Sequence, residues 1–322
     1  MLVPDTIIFN SKSIQLLINI RTGYFFTETR APEYICIMDT ERTYHFLQSD
    51  EFTLPYVEYG NGEELLLAFH GFGRSSADFS ALEQHLGRHY TIVAFDFFYH
   101  GPHGLSPLQE IPVFTPTHLS NMIEKLLWEK KKVRCSLMGY SQGGRIILGL
   151  VHHLPHRIHE MFVLAPDGLK ENSIRNFIGR TAPGRLLGKY LVKHPSLLFG
   201  TIRLLKKSGF ISQKIEQFYL LNTRMASDRF RIYHTWLTLR NYHPHPELIR
   251  HYFATRPIRV EFFMGKYDSI IPGHLATRFL EKMTGNISLS VLECGHDLLQ
   301  LHAEISEKIL VGHSGQNHLK EG

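Results

Sequence analysis

The stretch from Val133 to Arg145, reading Val-Arg-Cys-Ser-Leu-Met-Gly139-Tyr140-Ser141-Gln142-Gly143-Gly144-Arg145, constrains the fold more than any other. It passes directly from a β-rich apolar run into the helical pattern Ile146 to Leu150, so the G-x-S-x-G between them has room only for a sharp turn. Such a turn crowds the backbone, and glycines on either side relieve the crowding. The serine is lifted to the apex, beside the positive end of the next helix, where developing negative charge is favoured. Ser141 is therefore the candidate nucleophile; an ordinary glycine turn is the plainer alternative.

The surrounding sequence has the rhythm of strands and crossover helices in a mostly parallel sheet. Apolar, β-rich runs occur at Thr43 to Gln48, Phe52 to Tyr59, Leu65 to Phe69, Thr91 to Phe95, Val133 to Met138 and Met161 to Leu164. From Thr117 to Lys130 the residues Leu119, Met122, Ile123, Leu126 and Leu127 fall on one helical stripe. The rhythm stops over residues 170–255, which show amphipathic helical patterns and Gly/Pro breaks, and resumes with Arg259 to Met264 and Ile287 to Leu292. The expected organisation is an α/β core over 43–169 and 256–322, interrupted by a helical insertion over 170–255. Residues 1–42 form an N-terminal extension of uncertain role: Ile14 to Ile20 and Tyr34 to Met38 could add strands or a packed extension, with Met38 as a later initiator the alternative.

A nucleophilic serine needs a base, an orienting acid and donors for the oxyanion. The run Leu65 to Phe69 feeds His70-Gly71-Phe72-Gly73, a flexible loop able to turn a backbone N–H toward the site. The Phe72 and Gln142 amides are the expected donors. Downstream, Arg259 to Met264 ends in Gly265-Lys-Tyr-Asp268, and the last strand runs into Glu293-Cys-Gly295-His296, placing an acid and then a histidine on loops at strand ends. Ligands of open α/β sheets bind at those ends.

The order Ser141, Asp268, His296, together with His70-Gly71-Phe72-Gly73, Asp96 to Gly101 and Gly139 to Gly144, resembles the α/β-hydrolase superfamily from about residue 43 onward. That resemblance implies a sheet flanked by helices, a Ser-Asp-His triad that needs no cofactor or metal, and a helical lid over residues 170–255. The family's turn after the fourth strand often reads D-x-P-G-H-G-x-S, whereas this chain has Asp96-Phe-Phe-Tyr99-His100-Gly101-Pro102-His103, without the Pro-Gly or the serine. The same elbow, with His70-Gly71-Phe72 and Arg145, also looks like a menaquinone-pathway lyase that eliminates pyruvate from a polyanionic substrate. Gly71, Tyr140 and Arg145 are accordingly candidate substrate contacts.

Other residues have quieter readings. Asp167, after the run Met161 to Leu164, competes with Asp268 for the acid role, while His70, Asp96 and His100 fit turn-holding roles. The histidines at 152, 153, 156 and 159 resemble a ligand cluster, but Pro155 breaks the helical spacing and surface positions are expected.

Composition sets the outer limits. Over 322 residues, 43% hydrophobic and 20% charged side chains can bury a large core, which excludes fibrous and disordered classes. Three dispersed cysteines provide neither a disulfide framework nor a zinc motif and point to a reducing cytoplasm. Neither a secretion signal nor an uncharged spanning segment is evident. The net charge of +5 conceals an asymmetry: residues 170–255 hold fifteen Lys/Arg against four acids, +11, leaving −6 elsewhere. Without a nucleic-acid-binding module, that charge suits solvated faces, a small anionic substrate or peripheral contact with acidic lipid. The expected activity is hydrolysis of a carboxylic ester or related acyl bond of a small, anionic or lipid-like molecule. The pyruvate-eliminating lyase and a catalytically silent binding protein are the alternatives, and the oligomeric state is open.

Overall fold

The computed structural model describes residues 6–11, 14–19, 24–27, 43–104 and 110–317. The chain divides into two units, 1–44 and 45–322. In the first, β1 (Thr6–Ser11), β2 (Ile14–Asn19) and β3 (Tyr24–Thr27) form an antiparallel three-stranded sheet. The expected Ile14 to Ile20 run thus supplies β2, while the Tyr34 to Met38 run and Cys36 lie outside the described residues.

The second unit is built on eight strands: β4 (His45–Gln48), β5 (Thr53–Tyr59), β6 (Glu64–Phe69), β7 (Tyr90–Phe95), β8 (Cys135–Tyr140), β9 (Ile158–Leu164), β10 (Arg259–Gly265) and β11 (Asn286–Leu292). Their order is β11-β10-β9-β8-β6-β7-β5-β4, parallel from β11 to β7, with β5 and β4 antiparallel. Every residue of β8 and β10 is buried, as central strands covered on both faces require. Most strand boundaries differ from the sequence reading by one to three residues, and two of these shifts have a visible cause. Phe52 closes a turn, its N–H donating to the Ser49 hydroxyl at 3.1 Å, and Val133 is 71% exposed because β8 begins only after the turn that follows the preceding helix.

The short α1 (Glu83–Leu86) precedes β7, and α2 (Pro116–Glu129) crosses to β8. Thr115 caps α2 reciprocally: its hydroxyl accepts from the His118 N–H and its own N–H donates to His118 Nδ1. The stripe from Leu119 to Leu127 is buried as its spacing predicts. Next come α3 (Gln142–Leu150) behind the serine and, between β9 and β10, six helices: α4 (Ser173–Arg180), α5 (Ala182–Lys193), α6 (Pro195–Lys207), α7 (Gln213–Leu221), α8 (Ala226–Thr238) and α9 (Pro246–Thr255). The C-terminal part adds α10 (Gly273–Leu280) and α11 (His302–Asn317).

Helix α8 is tied to the sheet's loops. The Phe114 N–H donates to the Thr238 carbonyl at 2.9 Å, and the Tyr99 ring lies 5.7 Å from His234. Tyr99 stands where the family pattern has glycine and takes φ 68°, a left-handed conformation that costs a non-glycine residue about 1–3 kcal/mol. Contact with α8 holds it there.

Leu67, at the centre of β6, has no solvent exposure. Leu67→Ala leaves a cavity between the sheet and its covering helices and is expected to lower unfolding free energy by about 2–5 kcal/mol, measured by urea denaturation.

Candidate active site

Ser141 sits between the last residue of β8 and the first of α3 with φ 52° and ψ −107°. Three backbone bonds fix this conformation: the Ser141 N–H donates to the Leu164 carbonyl at 2.8 Å, and its carbonyl accepts from the Asp167 and Arg145 N–H groups at 2.9 and 3.2 Å. The glycines permit the close packing the turn needs. A Cβ on Gly143 would lie 1.9 Å from the Phe69 carbonyl oxygen, and one on Gly139 would lie 2.5 Å from that of Gly143. No side chain larger than hydrogen fits at either position.

The His296 Nε2 lies 3.0 Å from the Ser141 Oγ, and its Nδ1 lies 2.7 Å from the Asp268 Oδ2. A carboxylate can only accept, so Nδ1 carries the proton and Nε2 presents its lone pair to the serine hydroxyl. The Ile270 and Ile271 N–H groups donate to the other Asp268 oxygen at 2.8 and 2.9 Å. The Asp268 side chain is fully buried, while His296 keeps 20% of its side-chain surface. Thus the acid is fixed and dry, and the histidine and serine remain accessible.

The loop after β6 lies against this row. A Cβ on Gly71 would sit 3.0 Å from the Tyr140 ring and 3.3 Å from the Ser141 Cβ, which brings the adjoining Phe72 backbone beside the serine. Gln142 opens α3, so its N–H is one of those without an intrahelical acceptor. His70 is turned away from the row. Its Nε2 accepts from the Phe97 N–H at 3.0 Å, which places the proton on Nδ1, donated to the Gly71 carbonyl at 2.7 Å. Asp96 accepts from the Ser76 N–H at 2.6 Å. His100 donates from Nδ1 to the Phe98 carbonyl at 2.8 Å, and burial pushes its pKa well down.

Two supporting networks have no signature in the sequence. Arg74 pairs with Asp78 at 3.4 Å and with Asp297, next to His296, at 2.5 Å, and lies 5.8 Å from the Tyr140 ring centre. The Tyr140 hydroxyl donates to the His296 carbonyl at 2.9 Å. Tyr140 therefore braces the histidine loop, with its hydroxyl committed to that carbonyl.

The second network concerns Asp167 and Arg145. Asp167 lies apart from His296 and pairs with Arg175 and, at 3.3 Å, with Arg145. Arg145 is 3% exposed, and burial, reinforced by the Arg175 charge, lowers its pKa to about 9. Burial alone would raise the Asp167 carboxyl pKa, but the two guanidinium groups outweigh it and hold the group below the usual range. Arg145 is thus engaged with an internal carboxylate.

Among the described residues, no cluster of three or more His, Cys, Asp or Glu side chains could hold a metal ion. A cavity of about 100 Å³ opens among α4 to α8, lined by Leu191, Ile202, Ile232, Tyr233 and Trp236 among others.

The model of the Alpha/beta hydrolase family matches residues 65–308, and the chain belongs to that family. One similar protein is the pimeloyl-[acyl-carrier protein] methyl ester esterase of Aeromonas salmonicida, 28% identical over 185 residues, covering 56% of this chain and 63% of that one. The chain thus matches less than two thirds of that relative's length. Among solved structures, a hydrolase from Pseudomonas aeruginosa superposes with a TM-score of 0.56 at 17% identity, covering 85% of this chain and 98% of that one. Naproxen esterase from Bacillus subtilis gives 0.55 at 15%, covering 84% and 91%. These structural likenesses establish the shared fold. The family model and these likenesses together establish the α/β-hydrolase fold for this chain.

Asp167→Asn removes the carboxylate that two buried guanidinium groups share. The expected loss of stability at neutral pH is about 3–5 kcal/mol, read by denaturant unfolding. Because the native carboxyl pKa is depressed, the wild type holds this stabilisation fully above the ordinary aspartate pKa and loses it as pH falls through the lower native value. The difference between wild type and Asp167→Asn should therefore shrink in acid.

Proposed function

We propose that the chain is a serine hydrolase that cleaves a carboxylic ester or related acyl bond without a cofactor. The observation that carries this is the hydrogen-bonded row Asp268, His296, Ser141, with the serine on a strained apex. In the first half-reaction the Ser141 Oγ bonds to the acyl carbon while His296 Nε2 takes the hydroxyl proton. Asp268 keeps the imidazole oriented and stabilises its charged form. The carbonyl oxygen becomes an oxyanion, for which the Phe72 and Gln142 N–H groups are the donors. One such donor is worth about 10²–10³ in turnover. Collapse breaks the bond to the leaving group, which takes the proton from His296. Water then repeats the sequence on the acyl-enzyme, with His296 again the base, releasing the acid and free Ser141.

Helices α4 to α9 are the lid in this reading, and the apolar cavity among them favours a substrate with a hydrocarbon part. The Aeromonas relative, by its name, acts on a methyl ester of an acyl chain carried on a protein, which supports an acyl ester for this chain. The buried free thiols of Cys135 and Cys294 suit a reducing, cytoplasmic setting.

Ser141→Ala should lower kcat by about 10⁴ or more on an ester panel graded in acyl length, with fold retained. A fluorophosphonate probe should label the wild type and not the variant. Undiminished turnover in Ser141→Ala overturns the mechanism, and pyruvate release without an acyl-serine adduct by mass spectrometry would point to the lyase instead.

A further inference from the structure

Sixteen large hydrophobic side chains are exposed among the described residues, and nine of them lie between Phe177 and Met225. The same segment carries nine Lys/Arg and a single acid, Glu216. Helix α6 concentrates the pattern. Its inner face, Leu198, Ile202 and Leu205, lines the cavity. Its other side presents Leu197 at 51% and Leu204 at 64% exposure, next to exposed Arg203 and Lys207. Phe210, just past the helix end, is 78% exposed. On α5 the arrangement repeats: Leu191 and Val192 face the cavity, while Leu186 is 72% exposed beside Arg185 and Lys189. A helix apolar on both sides, with one side packed, leaves a second apolar face in water.

We propose that the outer face of α5, α6 and the turn at Phe210 docks peripherally on an anionic lipid surface. Leucine and phenylalanine would enter the boundary between headgroups and acyl chains, and Arg203, Lys206 and Lys207 would lie at headgroup level with their aliphatic stems against the apolar layer. Among the described residues Arg203, Lys206 and Lys207 have no carboxylate partner, so their charge is available to an external anion. The charge also decides between occupants. A second copy would bring the same cations face to face and be repelled, whereas anionic headgroups neutralise them. No helix of the described residues is long and apolar enough to cross a membrane, so the contact is superficial. This inference is independent of the Ser141 chemistry.

The test uses the full chain with vesicles of phosphatidylcholine alone and of phosphatidylcholine with phosphatidylglycerol. Co-sedimentation is expected with the anionic vesicles only, weakening as salt is raised. The triple variant Arg203→Glu, Lys206→Glu, Lys207→Glu should bind about a hundredfold or more weakly. Leu204→Ser with Phe210→Ser should also lose binding, while Trp128→Ser, which alters an exposed side chain of α2, and Ser141→Ala should bind as wild type. All six positions other than Ser141 are exposed, and thermal melts check that each variant folds. Failure to bind anionic vesicles, or binding that the charge reversals leave unchanged, overturns the proposal. So does a concentration-dependent dimer, dissolved by Leu204→Ser with Phe210→Ser, in the absence of vesicle binding.

Discussion

Everything at the candidate site depends on one unfavourable backbone conformation. Ser141 is held at φ 52°, in a region that a side chain normally avoids, and the cost of about 1–3 kcal/mol must be met by its surroundings. Hydrogen bonds to Leu164, Arg145 and Asp167 surround the residue on both sides. Packing does the rest, since α3 can approach β6 closely only because Gly143 lacks a side chain. The sheet order follows the same logic: β8 lies centrally, between β6 and β9, so the donor loop after β6 and the backbone after β9 both reach the turn.

Much of this was legible in the sequence because each candidate site residue adjoins a strand end. G-x-S-x-G between a β-rich run and a helical pattern located the turn, and Asp268 and His296 follow apolar runs that became β10 and β11. Parallel pairing then carries residues distant in sequence to one edge of the sheet. Asp167 shows where such reasoning ends. It too follows a strand, β9, and only its ion pairs with Arg145 and Arg175 separate it from Asp268. Local pattern cannot choose between two acids at neighbouring strand ends, because partner choice is fixed by tertiary packing.

The same limit applies to Arg74 and Arg145. Arg74 is one charged residue in a glycine-rich loop, and nothing near it in sequence signals the bridge to Asp297. Arg145 has the motif position of a substrate contact, yet it is buried and paired with Asp167 of the loop after β9, which also holds Arg175 of α4. The Tyr99 turn illustrates the reverse case. It departs from the family pattern in residue type while keeping the left-handed angle the turn needs, with α8 supplying the contacts that glycine would not require.

The Asp167 cluster also has a mechanical meaning. Arg175 belongs to α4, and Asp167 is bonded through its own N–H to the Ser141 carbonyl. Sliding α4 away from the sheet would part Arg175 from Asp167 and leave that carboxylate with Arg145 as its one guanidinium partner. The start of the inserted helices is thereby tied to the elbow, since Asp167 holds Arg175 in the first turn of α4 with its side chain and the Ser141 carbonyl with its N–H.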